Sequence, residues 1–225
     1  MTPVKLRDRS PRTSTTAAGA ACLVLSLVLA ACSGGGSKPS TTTRTKTTVP
    51  KVLAVKTSLL KVGKVVVESA GPPNVQIDTS TGKAVLAGAQ KYIDDGMFAP
   101  LKEGRLGGGY GSVFDSGVKS TAVGADARAL TDLDVGKVTR LSTKATPVEL
   151  SALVGTLGEL LYVATNFNVT LTGLGHTGPL TISHSIELTF ARTAKTWLVT
   201  AYRVRTVRHL PSGTTTTTAK GGTKP

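Results

Sequence analysis

Apolar residues recur along this chain with two rhythms, and the change from one to the other falls near Val135. Ahead of it, Leu86, Ala89, Ile93, Met97 and Leu101 follow one another at spacings of three or four, while Lys83, Gln90, Lys91, Asp94 and Asp95 lie largely elsewhere. This is the pattern of a helix laid on a core, and Asp78 or Thr79 can cap it by accepting from an early backbone N–H. Pro100 is expected to end or kink that helix, since it has no N–H to donate and its ring crowds the preceding turn. A short apolar strand, Val65 to Val67, comes before it, and a weaker helical stretch, Ala125 to Leu133, comes after.

Beyond Val135 the period is two. Strands are predicted over Lys137 to Ala145, Val148 to Val154, Leu160 to Leu171, Thr181 to Arg192 and Trp197 to Arg208. Ile182, Ile186, Leu188 and Phe190 share one face of the fourth, and Ser183, Ser185, Glu187 and Thr189 the other. Such alternation predicts a half-buried antiparallel sheet. Tight connections are expected at Thr156 to Glu159 and Thr193 to Thr196, and a longer one over Gly173 to Pro179. Helices followed by a run of strands make an α+β domain, N-terminal helices packed on one face of a curved antiparallel sheet, over residues 62–211.

A different pattern opens the chain. Lys5, Arg7, Arg9 and Arg12 precede an uncharged run from Ala17 to Ala31, too short to span a bilayer comfortably and suited to the apolar part of a secretory signal. Leu29-Ala30-Ala31-Cys32 ends the run, and the Gly and Ser residues from Ser33 to Ser37 cannot continue a membrane span. These residues resemble the lipobox of bacterial lipoproteins. The resemblance implies that residues 1–31 are a signal peptide, and that Cys32 receives a diacylglycerol on its sulfur and becomes the mature N-terminus. The protein would then be lipid-anchored to the cell membrane on its extracytoplasmic side. Residues 32–61 read as a disordered tether rich in Ser, Thr and Lys, with a coil reach of roughly 30 Å and a stretched limit of about 100 Å. The Thr-rich tail, residues 212–225, has the same character.

Composition and charge change this picture in two ways. Cys22 and Cys32 are the only cysteines, and Cys22 falls within the signal, so the mature chain has no disulfide framework and no thiolate metal site. The formal charge of +14 is spread unevenly: +3 on the signal, +6 on residues 33–61, +2 on the tail and +3 on the domain. A basic tether beside a lipid anchor reads as attraction to anionic lipid or cell-wall polymer, each charge contributing about 1 kcal/mol near such a surface. Nucleic acid is not an expected partner, and the oligomeric state stays open.

Candidate chemistry is thin. The glycines from Gly104 to Gly111 lack the Lys-Ser/Thr ending of a phosphate loop and read as a flexible turn. His184 and Glu187 sit an odd number of residues apart on one strand, so they point to opposite faces and do not form an acid–base pair. Asp126, Asp132 and Asp134 read as helix caps and solvated surface. No catalytic residue, metal-ligand set or cofactor is assigned.

The strand Trp197 to Val204 and the preceding Ile186 to Phe190, together with the helix-then-strand order, resemble the nuclear-transport-factor-2-like cone fold, in particular small actinobacterial lipoproteins and mammalian-cell-entry-associated envelope proteins. The early strand and the Gly-rich insertion depart from its simplest form. A cystatin-like domain and an unrelated α+β domain are the other folds that suit the pattern. The cone resemblance implies a non-catalytic binding domain that takes an apolar or amphiphilic ligand, or an envelope partner, in its mouth. Two further readings stand beside it: a small-substrate enzyme of isomerase or hydrolase type on the same fold, and a pure protein-interaction module whose cone is filled by its own side chains.

A tight hairpin at Thr193 to Thr196 sets a register. Phe190 then faces Val199, Leu188 faces Ala201, Ile186 faces Arg203 and His184 faces Arg205. His184, Arg203 and Arg205 would share the apolar face with Trp197 and form a ligand-binding mouth, with an anionic head on the arginines and an apolar body deeper. The alternative is that both arginines lie at a solvated end of the sheet and bury only their stems.

Overall fold

The computed structural model describes Leu53 and residues 55–72, 75–194, 196–209 and 215–223. The expected signal peptide, Cys32, and the expected tether as far as residue 52 lie outside the described residues. Seven strands make one curved, open, mixed sheet: β1 (Val62–Ser69), β2 (Thr139–Ala145), β3 (Val148–Val154), β4 (Leu160–Gly175), β5 (Gly178–Thr193), β6 (Thr196–His209) and β7 (Thr215–Thr223). They are ordered β1-β3-β4-β5-β6-β7, and β2 pairs with the far half of β4. Between β1 and β2 runs the helical layer: α1 (Thr79–Ile93), a π-turn (Asp94–Phe98), α2 (Ala99–Glu103), a 3-10 turn (Tyr110–Val113), α3 (Ser116–Val123) and α4 (Ala127–Leu130).

The helix starts where the capping chemistry places it. Asp78 is extended at ψ 162° and its carboxylate accepts from the Thr81 N–H at 2.7 Å. Hydrogen bonds from Ser80 and Thr81 hold that carboxyl below its usual range. Leu86, Ala89, Ile93, Met97 and Leu101 are all fully buried, so the three-to-four spacing did mark the face laid on the core. The helix can lie close because Gly88 sits against Phe190: a methyl there would come within 2.8 Å of the ring. Pro100 does not end the segment as expected. The backbone widens into the π-turn, where the Ala99 N–H reaches back to Asp94 O, and helix continues to Gly104, whose φ of 78° terminates it. Pro100 leaves Gly96 O without its i+4 donor, and the backbone N–H of Asp132 supplies one at 3.2 Å.

β1 lies parallel to β3, with Val65 beside Leu150, so the sheet is mixed rather than antiparallel throughout. The whole helical layer is the crossover that a parallel pair requires. Pro147 separates β2 from β3, and the two lie end to end along β4. The expected long connection from Gly173 to Pro179 is instead more strand: β4 and β5 remain paired to Gly175 and Gly178, leaving only His176 and Thr177 in the turn.

Both chain ends differ from expectation within the described residues. Leu53, Val55 and Leu60, assigned to a disordered tether, are buried in the core, and Val62 N–H donates to Val55 O. Residues 215–223, assigned to a disordered tail, form β7 and pair with β6 over nine residues. Thr suits a pleated edge, and the edge of β6 supplies the partner that a sequence window lacks.

Candidate functional site

β6 decides which side chains meet. From Thr193↔Thr196 to Phe190↔Val199 the pairing follows the expected register, but Thr189 then pairs with Ala201 and leaves Thr200 as an extra residue. This β-bulge flips every later side chain. Arg203 lies opposite Glu187 and Arg205 opposite Ser185, both exposed on the outer face, while Tyr202, Val204, Thr206 and Arg208 turn inward. The expected convergence of His184, Arg203 and Arg205 therefore does not occur. Trp197 precedes the bulge, is half-buried against the core, and pairs with Arg192; along β5 that is about 27 Å from His184. The bulge sits where Phe114 and Asp115 take the free edge of β6, with the Asp115 N–H donating to Val199 O at 2.9 Å.

His184 instead enters a sealed polar cluster. Its Nε2 lies 2.9 Å from Asp132 Oδ2 and its Nδ1 lies 3.0 Å from Thr206 Oγ1. A carboxylate only accepts, so Nε2 carries the hydrogen that faces Asp132. Arg208 closes the other side: Nη2 donates to Thr131 O at 3.1 Å and lies 3.1 Å from Asp134 Oδ1 and 3.5 Å from Asp132 Oδ1. Asp132, read from the sequence as surface, is fully buried, as is Thr131. A second cluster holds Asp126, also buried. Its carboxylate accepts from the Tyr202 hydroxyl at 2.8 Å and pairs with Lys220 of β7 at 3.2 Å. Burial, followed by the Asp126 hydrogen bond, pushes the Tyr202 phenol well above its ordinary range.

Between these clusters lie four aromatic rings. Phe114 meets Tyr92, Tyr110 and Tyr202 edge-on, with centroids 6.2, 5.2 and 5.9 Å away. Tyr92 donates to Leu130 O, whereas the Tyr110 hydroxyl finds no hydrogen-bond partner among the described residues. Burial raises both phenols well above their ordinary value.

Thr206, His184 and Asp132 stand in the order hydroxyl, imidazole, carboxylate that nucleophilic catalysis uses. Their burial removes the resemblance to an active site: the His184 and Asp132 side chains have no exposure, and Thr206 is 1% exposed. A depression of about 390 Å³ lined by Tyr162, Thr189, Arg192 and Thr223, and another of about 470 Å³ lined by Ser116, Ser120 and Val123, are open at the surface, and neither reaches His184. Chemically, the two clusters tie the α4 region to β5, β6 and β7. Sequence reasoning missed Asp132, Thr206, Arg208, Asp126 and Lys220. A signal existed in β6, where the apolar positions switch from odd, Trp197 and Val199, to even, Tyr202 and Val204.

Among the described residues no group of three or more His, Cys, Asp or Glu side chains is placed to hold a metal ion, and no helix is long and apolar enough to cross a membrane. Comparison with protein-family profiles, with curated proteins and with solved structures finds no match to this chain. The residues themselves carry the functional reading.

Proposed function

We propose that this protein is a lipid-anchored, extracytoplasmic interaction module: a non-catalytic α+β domain, held at the cell membrane through Cys32, that meets an envelope partner on its outer surface and keeps no ligand inside. The observation that carries this reading is the filled interior. Phe167, Leu171, Ile182, Ile186, Leu188, Phe190 and Val204 occupy the concave side of the sheet at 0–1% exposure, and His184 is locked among them by Asp132 and Thr206. The ligand-carrying version of the cone needs that space empty, so the interaction reading moves ahead of it.

The outer face is where recognition is available. Asn166, Asn168, Ser185, Arg203 and Arg205 lie side by side across β4, β5 and β6 and are exposed, with Glu187 the acid beside Arg203. Two arginines among amides and hydroxyls favour a polar, anionic partner such as a wall polymer or an acidic protein surface. Native mass spectrometry of the protein released from membranes in mild detergent tests the reading. The expected species is the acylated chain alone, and Cys32→Ala should lose the added mass. A lipid or small metabolite retained one-to-one by the wild type, or unchanged acylation of Cys32→Ala, would overturn it.

A further inference from the structure

Three strands, β1, β2 and β7, have an edge with no strand partner among the described residues, and the short β2 is already broken by a register shift between Thr139 and Ser142 and by Arg140 at φ 52°. On β1, Val55 and Lys56 lie alongside the first residues, a bulge interrupts the pairing between Val62 and Lys64, and the charged Lys64 and Glu68 stand exposed. These are the devices that keep a strand edge from pairing with another chain. β7 has none of them. Its nine residues pair with β6 without a register shift, it contains no proline, and its one charged side chain, Lys220, is drawn to Asp126 of its own molecule at 3.2 Å. Among the described residues no strand pairs with its far edge. That leaves an uninterrupted row of main-chain donors and acceptors about 30 Å long.

We infer that β7 is a self-association edge, and that two copies of this chain join through antiparallel β7–β7 pairing about a two-fold axis. The chemistry of the strand selects the partner. An edge that captures foreign peptides reads alternate side chains with pockets, whereas β7 presents Thr215, Thr217, Ala219, Gly221 and Thr223 on its outer side, small residues of which only the terminal Thr223 borders a surface depression. A second β7 matches them. Pairing centred on Ala219 sets Thr215 against Thr223, Thr217 against Gly221 and Thr218 against Lys220, so no like charges oppose one another and hydroxyls meet small neighbours. The contact is isologous, closes on itself, and removes the open edge from both copies. α3, which packs on β7, carries Ser116 and Ser120 at the surface beside exposed Val123 and is capped by Gly124, so a neighbouring helix can approach it closely.

Strand pairing alone falls at the small end of specific interfaces, so the dimer is weak, with dissociation in the range of about 1–100 μM. Sedimentation velocity of the full chain in mild detergent, at concentrations spanning that range, should show the mass of one chain giving way to two. Thr217→Lys with Ala219→Lys should remain monomeric at about 100 μM with the same far-ultraviolet circular dichroism. Ala219→Cys, which adds no charge, should cross-link under mild oxidation, while Lys64→Cys and the parent chain should not. A wild type still monomeric at about 200 μM overturns the proposal. So does a double-lysine variant that dimerises like the wild type, or cross-linking through Lys64→Cys in place of Ala219→Cys.

Discussion

Asp132 shows how one side chain can be written as surface in a sequence and as a keystone in a fold. Its N–H completes the carbonyl of Gly96 that Pro100 leaves open, and its carboxylate faces both His184 and Arg208. Removing the carboxylate leaves the buried His184 Nε2–H without its acceptor and takes one of two carboxylates from Arg208, which keeps Thr131 O and Asp134. Asp132→Ala is therefore expected to cost about 3–5 kcal/mol in urea unfolding; a loss under about 1 kcal/mol would show that the cluster is energetically neutral. Tyr110 is the opposite case, a buried hydroxyl with no partner. Tyr110→Phe removes that orphan group and should leave thermal stability equal or higher at neutral pH. Tyr92, Tyr110 and Tyr202 all have folded pKa values raised above the ordinary 10.0. Their contribution is full below that pH and is lost as the unfolded phenols ionise above it, so wild type should destabilise steeply on the alkaline side. A shallower alkaline loss in Tyr110→Phe checks the sign.

At the scale of elements, backbone irregularities direct the side chains. The π-turn carries α1 past a proline, and the bulge at Thr200 divides β6 into a half whose odd residues face inward and a half whose even residues do. Without it, Arg203 and Arg205 would be driven into the apolar layer and Tyr202 and Val204 out of it. The β5–β6 hairpin pairs Thr193 with Thr196 and holds Ala194 at φ 54°. Such two-residue turns favour Gly or Asn at positive φ, where a Cβ meets the following carbonyl. Ala194→Gly should raise unfolding free energy by about 0.5–1 kcal/mol. Unchanged or reduced stability in denaturant unfolding would mean that the turn carries no such strain.

At the scale of the molecule, the segments that look dispensable belong to the domain. β7 contributes nine backbone pairs and the Lys220 partner of Asp126. Ending the chain after His209 should therefore lower the melting temperature by about 10 °C or more, as expected for a loss of roughly 3 kcal/mol from a domain of this size; a shift within about 2 °C would show the strand to be ornamental.

Local pattern determined a good deal by itself. The cap at Asp78, the buried face of α1, the spans of β3, β5 and β6 and the Thr193 to Thr196 turn all depend on residues within a few positions of one another, where helix and strand periods act directly. The resemblance to a lipobox around Cys32 is read in the same local way and lies outside the described residues. Other features were decided only in three dimensions. β7 needs the free edge of β6, which no composition of Thr and Gly announces. The bulge at Thr200 accompanies the docking of Phe114 and Asp115 from a distant segment, although the odd-to-even switch in β6 carried a trace of it. The His184 cluster joins residues 52 and 22 positions apart, and whether a histidine and an aspartate so separated meet water or each other is settled by packing. Sequence periodicity says which face a residue takes while the register runs true; only tertiary contact decides where the register breaks.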